Sequence, residues 1–142
     1  MEKEVKELVL QKISEVEKYL HFIKEIGAIE KDTFIHDLRA IFASERVLQI
    51  SIECVLDIGN ILISQLALPK PSFYRDIATI LSDANIITES LKERLIKIIA
   101  LRNVLVHQYS KIQEEAIYEF IHLIDKDVED FIIEIVSFLE NH

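Results

Sequence analysis

Two glycines and two prolines in 142 residues leave this chain very few places to turn. Gly and Pro are the strongest punctuators of a backbone, and where they are scarce the elements between them must be long. The prolines stand together as Pro69-Lys70-Pro71, a sequence that forbids helix and makes a stiff turn. Elsewhere apolar residues recur three and four apart, and no stretch alternates for long enough to compete as a strand. The chain is therefore expected to be all-α and a single domain over residues 1–142. The expected architecture is an up-and-down bundle of four long helices and one short one.

The first helix is expected from about Glu4 to Ile26, with Val5, Leu8, Val9, Ile13, Val16, Leu20 and Ile23 at helical spacing and Gly27 as its C′ residue. Asp32 or Thr33 caps a second helix running to about Leu66. That helix would span about 50 Å, with a bend near Ala43-Ser44. Ser72 caps a short helix that ends near Leu81, and Asp83-Ala84-Asn85 is a loop. Thr88 or Ser90 caps the next, residues 89–107, where Ser90 and Glu93 fit a capping box. Gln113-Glu114-Glu115 opens the last helix with acids in its first turn, where the helix dipole favours them.

Several function classes fall away on composition. Cys54 is the only cysteine, which excludes an internal disulfide and a cysteine-based metal cluster and makes a cytoplasmic address the default. His21, His36, His122 and His142 are scattered without ligand spacing, so no metal is expected; no cofactor is called for either. Charged residues interrupt every apolar run, so no membrane association is expected. The opening Met1-Glu2-Lys3-Glu4 lacks the apolar core of a signal peptide. A net charge of −9 argues against a general nucleic-acid binder, but the charge is unevenly spread. Residues 113–142 carry nine acids and one base, whereas residues 69–112 carry seven bases and four acids. The acidic final helix reads first as a solvated face; it would also attract a basic partner protein.

The one net-basic stretch contains Arg102-Asn103-Val104-Leu105-Val106-His107-Gln108-Tyr109. Arg is a fixed cation shaped for phosphate, His moves protons near neutral pH, and Tyr brings a modifiable hydroxyl. Each residue also has a plainer reading. Arg102 is either a phosphate ligand or a structural cation paired with Glu53 or Asp57, two acids four apart whose mutual repulsion it would relieve. His107 alone reads as a helix-terminus residue and Tyr109 as an amphipathic rim residue. At 100° per residue Arg102 and His107 stand about 140° apart on a continuous helix, while Arg102 and Tyr109 are nearly aligned. Either the helix unwinds near Val106, or a second subunit completes the site across a two-fold axis.

The pattern of Arg, four residues, His, one residue, Tyr resembles the signature of HEPN-domain toxins, the helical ribonucleases of toxin–antitoxin pairs. Glu45-Arg46-Val47-Leu48-Gln49 with Glu53 and Asp57 resembles the second-helix pattern of the subfamily encoded beside a minimal nucleotidyltransferase antitoxin. Pro71, Ser72, Tyr74 and Asp76 resemble its short-helix start, and the likeness covers about residues 5–135. The resemblance implies a HEPN-like helical domain and a homodimer that cuts RNA in a cleft. Arg102 and His107 would be the catalytic pair, and Tyr109 the cleft residue that the partner nucleotidyltransferase adenylylates to silence the toxin. Asn103, Glu53, Asp57 and Arg46 would be supporting residues. The alternative is a non-catalytic accessory subunit in which Arg102 and His107 hold a nucleotide for the partner enzyme. A structural dimerisation module, with Arg102 tied to Glu53 or Asp57, is the third reading.

Overall fold

The spacing of buried residues along the chain builds the bundle. In the computed structural model, which describes residues 1–107 and 113–142 without the side chains of Val106 and His107, helix α1 spans Lys3–Gly27. It buries Val5, Val9, Ile13, Val16, Leu20 and Ile23, one stripe at intervals of three and four. Helices α2 (Lys31–Ile35), α3 (Leu38–Gln65), α4 (Tyr74–Asp83), α5 (Glu89–His107) and α6 (Glu114–Glu140) follow. There is no strand among the described residues. The all-α fold is as expected; the helix count is six rather than five.

The additional helix comes from a break in the expected 33–66 helix. It falls at His36-Asp37, not near Ala43-Ser44, where α3 is continuous. Asp37 is the reason: its Oδ1 accepts the backbone N–H groups of Arg39 at 3.0 Å and Ala40 at 3.3 Å, an N-cap that starts α3 afresh. Gly27 also differs from expectation. It is the last helical residue of α1, with no left-handed φ, and Ala28 caps the helix in the right-handed region. The Gly27 carbonyl lies 3.0 Å from His122 Nε2 on α6, so α6 closes the end of α1. Helix α4 begins at Tyr74, one to two residues later than expected. Its start is held by Asp76, whose Oδ2 accepts from the Ser72 and Phe73 N–H groups.

Helix α3 is the centre of the molecule and packs against α1, α4, α5 and α6. By length and composition it alone among the described helices could cross a membrane, but most of its apolar stretch is buried in the bundle. Leu48, Ile52, Ile58 and Leu62 are fully enclosed. Cys54 is also buried, and burial pushes its thiol pKa up, with Asp57 and Glu15 adding to the rise. Gly59 marks the closest approach of α3 to α4, since a Cβ there would stand 2.4 Å from Ile77 Cγ2. The apolar residues of α5 are used inside the subunit: Leu91, Leu95, Ile98, Ile99, Leu101 and Leu105 are all buried.

Gly59→Ala should destabilise the fold by about 1–3 kcal/mol, because a methyl there overpacks a core that has no room for it. Gly27→Ala should be neutral or stabilising by up to about 1 kcal/mol, since its Cβ would meet only ordinary contacts, the nearest 3.5 Å away. Urea unfolding of the two variants checks the contrast.

Candidate active site around Arg102

Helix α5 carries the motif, and α6 pins its first half. Thr88 is the N-cap: its Oγ1 accepts the Leu91 N–H at 3.2 Å. Glu134 of α6 holds Thr88 in turn, accepting its N–H at 2.6 Å and its hydroxyl at 3.1 Å. The Ser90–Glu93 capping box is not formed among the described residues. One turn further on, Arg94 bridges Asp127 at 2.9 Å and Asp130 at 2.7 Å. Three acids of α6 are thus structural anchors for α5 rather than a purely solvated face.

With that half fixed, the Arg102 side chain enters a slot between α3 and α4. Its Nη2 lies 3.4 Å from Glu53 Oε1, and its Cζ stands 4.9 Å from the centre of the Tyr74 ring. The guanidinium is stacked on an aromatic face and 18% exposed. Gln49 Nε2 donates to the same Glu53 oxygen at 3.1 Å, so the carboxylate is shared. Of the two acids proposed for Arg102, Glu53 is therefore its partner and Asp57 is not. Asp57 is exposed and faces Lys12 of α1 at 3.8 Å.

The strength of this pair decides what Arg102 is free to do. A distance of 3.4 Å is long for a charge-assisted hydrogen bond, and Glu53 is 35% exposed. A guanidinium has five N–H donors. Here one of them makes a long bond, and Nε is buried with no partner among the described residues. Nε is closed to solvent, so an incoming anion would meet the terminal Nη groups, of which only Nη2 has a contact among the described residues, the long one to Glu53.

The other predicted site residues lie as follows. Asn103 is exposed beside Arg102 on the rim of a cleft, and Arg46 is exposed on α3 without an ion pair among the described residues. His107 ends α5, which stays helical through it; its side chain is outside the described set. Tyr109 lies outside the described residues. Glu45, on α3, has its pKa raised by burial and then by the charge of Glu114 at the start of α6. No cluster of metal-ligating side chains occurs among the described residues.

The cleft itself was not anticipated from sequence. It is open, has a volume of about 1150 Å³, and lies between the end of α3, the 66–73 connection, the start of α4 and the middle of α5. Its lining is drawn from four separate segments, which no single motif could have announced. The nearest sequence signal is local: Lys70, between the prolines, and Arg75 flank the aromatic pair Phe73-Tyr74.

A family model described as "Ribonuclease HepT-like" matches residues 16–135. YutE of Bacillus subtilis (strain 168) is 33% identical over 128 residues, covering 89% of each chain. Its solved structure, described as that of a cytosolic protein, superposes with a TM-score of 0.74 over 90% of each chain. The mRNA nuclease HepT of Shewanella oneidensis is 27% identical, covering 88% of this chain and 91% of its own. The tri-AMPylated HEPN toxin of Shewanella oneidensis, solved in complex with the MNT antitoxin, superposes with a TM-score of 0.84. It covers 96% of this chain and 99% of its own, at 26% identity.

Arg102→Ala should cost only about 1 kcal/mol of stability, the scale of a partly exposed ion pair. Glu53 retains Gln49 and water when its cation is gone. A loss of about 3–5 kcal/mol in urea unfolding, the cost of orphaning a buried charge, would identify Arg102 as a structural cation instead.

Proposed function

Because the chain belongs to the HepT-like ribonuclease family, we propose that it is the toxin of a toxin–antitoxin pair, an endoribonuclease that cuts RNA without a metal at a cleft shared by two copies. A partner minimal nucleotidyltransferase silences it by adding AMP to Tyr109, and both act in the cytoplasm. The observation that carries this reading is the state of Arg102: a stacked, part-buried guanidinium whose one carboxylate contact is long.

The chemistry follows from the substrate. RNA carries its own nucleophile, the 2′-hydroxyl, next to the scissile phosphate, so the protein need not generate one. The 2′ oxygen forms a bond to phosphorus while the bond from phosphorus to the 5′ oxygen breaks. His107 moves the proton, from the 2′-hydroxyl towards the departing 5′ oxygen, a contribution of about 10²–10⁴-fold. The products are a 2′,3′-cyclic phosphate and a 5′-hydroxyl. Arg102 meets the charge that builds on the non-bridging oxygens. Asn103 lies beside it, and Glu53 and Tyr74 keep the guanidinium in place.

The shared cleft is supported by helix geometry. Because α5 is helical through residue 107, positions 102 and 107 stand about 140° apart around its axis. One helix then does not aim both at a single phosphate, and a two-fold arrangement supplies Arg102 from one copy and His107 from the other. Burial of the apolar side of α5 within the subunit means that hydrophobic α5 residues are not the cause of that pairing.

Arg102→Ala and His107→Ala should each abolish cleavage of a labelled RNA in the presence of chelator, with helical content unchanged by circular dichroism. Mixing the two inactive variants under subunit exchange should restore about a quarter of wild-type activity, since half the dimers are mixed and each holds one complete site. No recovery in mixtures shown to have exchanged would place both residues in the same subunit's site.

Tyr109→Phe should keep much of the nuclease activity yet escape silencing by the partner enzyme and ATP. Mass spectrometry should find AMP on Tyr109 and not on Tyr118, whose hydroxyl donates to the Ile29 carbonyl at 2.7 Å, nor on Tyr74, whose ring lies against Arg102. Equal modification of the Phe variant would remove Tyr109 from the acceptor role. An adenylyl group there carries a phosphodiester charge that competes with RNA for Arg102.

A further inference from the structure

The cleft beside Arg102 differs in charge from the rest of the protein. The chain has 25 acidic residues against 16 lysines and arginines, yet the cleft lining holds Lys70 and Arg75 and no acid. Its floor is apolar, with Ile63, Ile77, Ile96 and Ile99, while Phe73 and Tyr74 stand at its mouth and are respectively 62% and 47% exposed. Each ring carries an arginine over it: Arg75 Cζ lies 5.0 Å from the Phe73 centroid and Arg102 Cζ 4.9 Å from that of Tyr74. The cleft is therefore continuous with the proposed catalytic arginine through Tyr74 and Asn103.

Exposed aromatic faces interleaved with cations, with no acid between them, suit single-stranded nucleic acid. The rings offer stacking surface that any base can use, and the cations track the backbone phosphates. We propose that this cleft is a nucleotide subsite for single-stranded RNA. Phe73 stacks the base of a residue flanking the cut, and Lys70 and Arg75 meet its phosphates. The proposal rests on the ribonuclease reading for the identity of the neighbouring bond; binding in the cleft is measured separately from cutting. Its consequence is a preference for unpaired RNA, because a base has to leave its own stack to reach Phe73.

The test uses the uncut complex. A fluorescein-labelled hexaribonucleotide is titrated into the His107→Ala protein and followed by anisotropy, with wild-type cleavage of the same RNA measured in parallel. Phe73→Ala should weaken binding about tenfold, the order of one base–aromatic stack. It should lose the discrimination that the parent protein shows against an oligonucleotide with abasic positions. Lys70→Gln and Arg75→Gln should each lower the slope of log Kd against log salt by about 0.7. Unchanged affinity in Phe73→Ala, or equal binding of intact and abasic RNA, overturns the subsite even if the wild type cuts RNA. Absent cleavage with the predicted binding pattern overturns the ribonuclease reading and leaves the subsite standing. If Phe73→Ala instead lowers affinity for the nucleotidyltransferase, or changes the sedimentation of the protein, with RNA affinity intact, the cleft is a protein interface and the proposal fails.

Discussion

Helices α3 and α4 approach so closely at Gly59 that no side chain larger than hydrogen fits between the α3 backbone and Ile77. Much of the site depends on that contact. It fixes the height at which α4 begins, and Asp76 then holds the first turn by accepting the Ser72 and Phe73 N–H groups. Tyr74 is the first residue of that helix, so its ring is delivered to the side of α3 that also carries Glu53. Arg102 arrives from α5 into the space those two side chains define. A glycine and a methyl group, neither of them chemically reactive, thus determine the surroundings of a charged one.

The second determinant is electrostatic. Most of the excess negative charge lies in α6, and part of it is spent within the fold: Glu134 fixes Thr88, while Asp127 and Asp130 fix Arg94. Interleaved with them along α6, Asp125 and Glu129 face Lys24 of α1. Burial raises the pKa of Asp125, and the Lys24 charge opposes that rise only in part. These contacts tie the acids to α1 and to the first half of α5. Around the cleft, Arg102 has one long contact to Glu53, and Lys70 and Arg75 stand in a lining that holds no acid. In an acidic protein this local separation of charge gives an anion one preferred place to bind.

Much of this was legible in the sequence because helical periodicity is a local property. Scarcity of Gly and Pro, buried stripes at three and four, and the Pro69-Lys70-Pro71 turn lead directly to an all-α bundle. The break at His36-Asp37 was not legible, since Phe34, Leu38 and Ile41 read as one continuous stripe; in the structure Leu38 is 64% exposed and Asp37 caps a new helix. The partner of Arg102 could be narrowed to Glu53 or Asp57 but no further. Lys12, forty-five residues before Asp57 in the chain, sits near that acid, and only tertiary packing brings the two together. The cleft was invisible for the same reason, being assembled from α3, the connection after it, α4 and α5. Arg102 stood out because its residue type conflicts with the apolar helix around it.

The enclosure of Cys54 has a practical consequence. The only thiol of the chain is buried in α3, and its ionisation is suppressed by that burial and by neighbouring carboxylates. Thiolate is the reactive form, so alkylating dyes and spin labels will react slowly with the native protein. A cysteine introduced on an exposed helix position would be labelled selectively without first removing the natural one. The protein is thereby a ready background for distance measurements between two copies, or between α4 and a bound RNA, in its unaltered core.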